Sequence, residues 1–195
     1  IGNSAGSITQ RENAIAIGNS AGTNTQGTNS IAIGYLAGNI QSQYAIAIGY
    51  SAGKNTQGQN AIAIGNTAGS DNQDSAIAVG SFSGQNSQGV FAIAIGYEAG
   101  NVAQGQNAIA IGRDSGFKTQ GQYAISIGLF AGLNQQQSDA ISIGRSSGQN
   151  SQGQFAIAIG KSSGNNTQGQ YAIAIGNEAG YYTQGKHTIA IGYQS

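Results

Sequence analysis

Ala92-Ile93-Ala94-Ile95-Gly96 decides the fold, because this phrase returns along the whole 195-residue chain, with occasional Ser, Thr or Val substitutions. Its first Ile falls at Ile15, Ile31, Ile46, Ile62, Ile77, Ile93, Ile109, Ile125, Ile141, Ile157, Ile173 and Ile189. The period is 16 residues, shortened to 15 after Ile31 and after Ile62. Repetition at a fixed short period marks a stacked, quasi-one-dimensional architecture. Working outward from the phrase, the unit reads roughly A-I-A-I-G-x-x-A-G-x-x-T-Q-G-Q-N. All 33 glycines fall into three columns of it. None is left to mark a linker, so residues 1–195 read as one continuous array. The array starts and stops inside a repeat, the expectation for a segment of a longer fibre.

Alternation with period two places both Ile side chains on one strand face and both Ala side chains on the other. A helix is excluded by the frequent glycines and by the missing 3.6 period. A 16-residue unit is too short for a βαβ crossover. The expectation is an all-β chain, a parallel β-solenoid of about 12 coils. Stacked at ~4.8 Å per coil, these make a rod roughly 55–60 Å long. The glycine columns mark tight turns. A Gln follows the second glycine column by three or four residues in every coil, from Gln10 to Gln184. Stacked amides of this kind can bond coil to coil. The two 15-residue units each lose one residue in the polar turn, near Ser42 and near Asp74.

Hydrophobicity assigns the core to the Ile columns: Ile15, Ile17, Ile46, Ile48, Ile93, Ile95, Ile157 and Ile159. The opposite columns hold only small residues: Ala14, Ala16, Ala45, Ala47, Ala61, Ala63, Ala92, Ala94, Ala108, Ala110, Ala156, Ala158, Ala172 and Ala174, with Ala, Ser or Thr elsewhere. Unbroken small residues mean that something large comes very close. The simplest such object is another copy, so this face predicts lateral self-association, most simply as a homotrimer.

Composition narrows the chemistry. Seven Lys/Arg balance seven Asp/Glu, and Cys, Pro, Met and Trp are absent. Zero net charge gives no footprint for nucleic acid or an anionic membrane. No run of 18 apolar residues suits direct membrane insertion, and no basic and apolar leader opens the chain. Disulfides, thiolate metal sites and Cys nucleophiles are excluded. The single His187 occupies a variable surface column. Glu98, Asp114 and Glu178 share a column, but Arg113 nearby favours a mixed solvated surface over a metal site. Asp71 and Asp74 read as an exposed pair in a shortened turn. No phosphate loop, zinc motif or nucleophile elbow occurs. The expectation is no enzyme, no metal and no cofactor.

The stretch Ser30-Ile31-Ala32-Ile33-Gly34-Tyr35-Leu36-Ala37-Gly38 resembles the S-V-A-I-G-x-x-S/A repeats of YadA-like head domains from trimeric autotransporter adhesins. Gly192-Tyr193-Gln194-Ser195, after its Ile strand, is similar to the A-I-G-Y-Q-A-G repeats of phage and large-virus tail-fibre-like proteins. The resemblance covers essentially the whole chain. It implies a left-handed β-roll, three chains side by side, and an extracellular place on a cell or virion surface. The function it implies is a rigid, non-catalytic fibre or adhesin-head segment. Tyr35, Tyr50, Tyr97, Tyr44, Tyr123 and Tyr171 are then the first candidates for contact with a surface or matrix receptor. Aromatics at coil corners more often stack along a rod than bind a ligand. Two rival readings stand beside this one. A partial Thr column (Thr9, Thr25, Thr56, Thr119, Thr167, Thr183) fits an ice-binding solenoid. Uncapped coils fit a matrix filament that polymerises end to end.

Overall fold

The computed structural model describes residues 1–70 and 75–195. Among the described residues the chain winds in parallel coils, typically a three-residue strand, a turn, a short second strand or bridge, and a second turn. Twelve three-residue strands, from Ile15–Ile17 to Ile189–Ile191, form one parallel sheet in strict chain order. Its register sets each Ile on the Ile one coil away and each Ala on the Ala or Ser, as in Ile109↔Ile125 and Ala110↔Ser126. The two-residue strands form the other wall. One sheet holds Thr9–Gln10, Thr25–Gln26 and Ile40–Gln41, and the other runs from Ala103–Gln104 to Thr183–Gln184. Single bridges, Gln41↔Gln57 and Gln88↔Gln104, extend each by one coil. The expected all-β parallel solenoid with 16-residue coils is present, and no helix occurs among the described residues.

The stacking follows from backbone hydrogen bonding. Each coil is a row of donors and acceptors that only another coil of the same shape can satisfy. Ile109 N–H donates to Ala124 O at 2.9 Å, and Ile125 N–H to Ala140 O at the same distance. The turns carry the same pairing, with Gly100 N–H donating to Ser115 O at 2.9 Å. Gly96 shows why the first glycine column has no side chain. Its φ is +131°, and a Cβ there would lie 2.6 Å from Gly112 O of the next coil. The coil corners also put non-glycine residues in the left-handed region, among them Leu36 at φ 54° and Phe91 at φ 60°.

One of the two shortened coils lies within the described residues. Between Gly38 and Gln41, Asn39 stands where other coils have two residues. Its carbonyl accepts from both Asn24 N–H and Thr25 N–H, at 3.2 and 3.1 Å. One acceptor thus does the work of two, and Gln26↔Gln41 stays in register. The other shortening, with Asp71 and Asp74, falls outside the described residues.

The structure inverts the expected faces of the long strand. Ala45, Ala47, Ala61, Ala63, Ala92, Ala94, Ala108, Ala110, Ala156, Ala158, Ala172 and Ala174 are completely buried, and Ala16 nearly so. They line the interior of the roll and are not a lateral face. Ala14, in the first full coil, is half-buried. The expected core residues point outward. Ile15, Ile17 and Ile95 are exposed, and Ile46, Ile48, Ile93, Ile157 and Ile159 are partly so. The reason is the thinness of the roll. A Cβ placed on Gly100 in the facing turn would lie 3.3 Å from the Ala94 methyl and 2.7 Å from Gln104 Oε1. A branched four-carbon side chain has no room there. The small residues do report a close neighbour, but it is the opposite wall of the same coil.

Candidate functional site: the isoleucine stripe and its flanks

Inside the roll most described coils contribute a Gln to the core, whereas Gln10 of the first coil is exposed. Gln26, Gln57, Gln120, Gln136, Gln152 and Gln168 are among the largest fully buried side chains. Each amide crosses the interior and caps backbone carbonyls of the long sheet. Gln120 Nε2 donates to Ile109 O at 2.7 Å and to Ala124 O at 3.2 Å. The expected amide ladder exists in parts, as Gln41 to Gln57 at 2.9 Å and Gln136 to Gln152 at 3.1 Å. The column is therefore a polar core, not the lining of an outer turn. Its regular presence in every coil was the available signal, and its polarity argued against burial.

With Ala and Gln inside, the Ile columns form the exposed face of the twelve-stranded sheet. Along it Ile64, Ile95, Ile127, Ile143 and Ile175 are 36 to 39% exposed. Two residues before the first Ile of each strand lies one flanking column, and two residues after the second Ile lies the other. All six candidate contact tyrosines lie on these flanks. Tyr44, Tyr123 and Tyr171 are on the leading flank, and Tyr35, Tyr50 and Tyr97 on the trailing one. All six are exposed. Several stack along the rod. Tyr35 and Tyr50 have ring centroids 5.3 Å apart. Phe155, Tyr171 and His187 form a near-parallel stack at 5.1 and 5.0 Å. His187 is thus an aromatic member of the leading flank.

The acidic column is used residue by residue. Asp114 pairs with Arg113 at 3.1 Å, and Glu178 accepts from Gln194 Nε2 at 2.8 Å. Glu98 accepts from the Tyr97 hydroxyl, and that bond, ahead of the carboxylate's charge, holds the Tyr97 phenol above its ordinary pKa. Among the described residues no three His, Asp or Glu side chains gather into a metal-holding cluster. The Thr column lies on the second wall, paired as Thr9↔Thr25 and Thr167↔Thr183. Ile40 and Gln135 interrupt it.

Among the described residues no helix is long and apolar enough to cross a membrane. No curated protein and no solved structure matches the chain. A family model does: residues 12–37, 57–83 and 87–115 match the family described as YadA head domain repeat (2 copies). That model covers the strand, both turns and the glycine columns that build the coil. The likeness read from Ser30–Gly38 therefore agrees with this match, and in these segments the chain is similar to YadA head domain repeats.

Proposed function

We propose that this chain is a rigid, non-catalytic segment of a surface fibre or adhesin head, built from three copies packed side by side along the Ile stripe. The observation that carries the reading is the stripe itself. Two Ile or Val columns run the length of the twelve-stranded sheet. At ~4.8 Å per strand this is a contiguous apolar band roughly 55 Å long, and large contiguous exposed apolar patches mark sites of association. Identical rods share one coil rise, so a second copy meets the band along its whole length. The repeat family supports the trimeric, side-by-side form and a place outside the cell. The trimer leaves the second wall outward, where attachment to a surface or matrix would occur.

Sedimentation equilibrium tests the reading. The expected species has three times the 19.6 kDa mass of the chain. Replacing Ile95 and Ile127 together by Lys is expected to give a monomer with an unchanged β circular-dichroism spectrum. A wild-type chain that sediments as a monomer at micromolar concentration overturns it.

A further inference from the structure

In most coils the two flanks of the Ile stripe carry residues that match each other. Tyr44 on the leading flank has Tyr50 on the trailing flank of the same coil, Phe91 has Tyr97, and Asp139 has Arg145. Polar coils follow the same rule, with Asn60 and Asn66, and with Ser75 and Ser81. Asn29 with Tyr35, Asn107 with Arg113, Phe155 with Lys161 and Tyr171 with Asn177 depart from it. The partners of each pair are six residues apart across an extended strand, about 15–20 Å. They lie on opposite edges of the stripe, too far apart to touch within one chain.

In a closed ring of parallel copies, each protomer presents its leading flank to the trailing flank of the next. Point-group symmetry allows no rise between copies, so every coil stands level with its own counterpart. The residue facing Asp139 is then Arg145 of the neighbouring copy, and the residue facing Phe91 is its Tyr97. We infer that the flanks form an in-register seam between copies of this chain, with Asp139 and Arg145 as its charged pair. The inference rests on the side-by-side assembly proposed above and adds its register and its contacts.

The charges fit this use. The Arg113–Asp114 contact is the one ion pair among the described residues, so neither Asp139 nor Arg145 is paired within its own chain. Asp139 sits between Tyr123 and Phe155 of the adjoining coils, and these rings lower the local dielectric around the pair. A shift of one coil would set Asp139 opposite Leu129 or Lys161, and Phe91 opposite Ser81 or Arg113. In register Tyr44 meets Tyr50, Phe91 meets Tyr97 and His187 meets Tyr193, whereas a shift of one coil leaves one aromatic match, Tyr44 with Tyr35 or Tyr171 with Tyr193, so the seam favours the closed ring over a helical stagger. It also reassigns the flank tyrosines, which become contacts between copies rather than a receptor stripe.

Cysteine pairing reads the seam directly, because the chain contains no cysteine. In the full chain, Asp139→Cys with Arg145→Cys is expected to form covalent oligomers on mild oxidation. Two such positions in one strand are beyond the ~7 Å Cα limit of a disulfide. Asp139→Cys with Lys161→Cys, one coil out of register, is expected to stay unlinked. In a second experiment, Asp139→Arg and Arg145→Asp should each weaken assembly about tenfold by placing like charges together. The double exchange in one chain should restore most of it. If the wild-type chain is oligomeric but only the 139/161 pair cross-links, or neither does, the seam is overturned and the assembly stands. A monomeric wild-type chain overturns both.

Discussion

The Ser126 hydroxyl donates to Gln136 Oε1 at 2.6 Å inside the roll. Ser142 does the same for Gln152 at 2.5 Å. These two coils carry Ser where most others carry Ala, and the hydroxyl completes a buried amide. Beside Ala94, where Ala stands instead, the Gln104 Oε1 is buried without a partner. Ala94→Ser is therefore expected to stabilise the fold by about 0.5–1.5 kcal/mol, the net worth of one buried hydrogen bond. A rise in the urea midpoint checks it, and an unchanged or lowered midpoint counts against this view of the core.

Gln152, like Gln136, is among the most fully bonded residues of the column. Its amide donates to Ile141 O, Ala156 O and Gln168 Oε1 at 2.7, 3.2 and 3.2 Å. Gln152→Ala removes these and opens a void in a core otherwise made of methyl groups. A loss of about 3 kcal/mol or more is expected, from an unmet buried hydroxyl together with the cavity. A loss below about 1 kcal/mol, measured by denaturant unfolding, would show that the amides are solvated rather than structural.

Gly105 has an ordinary backbone conformation, yet a Cβ there would lie 2.5 Å from the Gly121 carbonyl carbon. Gly185 occupies the same column, and its nearest neighbour would be the Thr188 methyl at 3.6 Å. Gly105→Ala is expected to cost about 3 kcal/mol or more through overpacking against a backbone that cannot move alone. In this 195-residue chain Gly185→Ala should stay within about 1 kcal/mol. Equal melting temperatures for the two variants would refute coil-to-coil contact as the reason for the column.

Tyr97 supplies a pH signature. The Glu98 carboxylate accepts its hydroxyl proton and repels the phenolate, so the folded pKa is raised. A raised folded value means that the folded state keeps this proton longer than the unfolded chain. Its contribution is intact below the ordinary tyrosine range and is lost as pH climbs through the folded pKa. Ultraviolet titration of the nine tyrosines should show a late-ionising component. Glu98→Gln should move that component down, and an unmoved titration would disprove the coupling.

Much of the coil can be read from residues alone. The period of the Ile-Ala phrase predicts a strand every 16 residues, and glycine columns such as that of Gly96 mark turns that no side chain can enter. The family likeness is carried by the same phrase. The seam is legible only partly. The pairing of Asp139 with Arg145 is written in the sequence, but it has no meaning until both residues are placed on the edges of one exposed face.

Sequence by itself determined the repeat, the parallel stacking and the absence of a conventional catalytic motif. These depend on backbone hydrogen bonding and on glycine, which act locally and identically in every coil. Only the tertiary structure decided which face of the strand is inside. Both faces are apolar, so hydrophobic patterning cannot choose between Ile95 and Ala94. The choice is made by distance: the opposite wall lies one methyl group away, and Gln104 has to reach across to the backbone. That spacing buries Ala94 and Gln104 and leaves Ile95 outside.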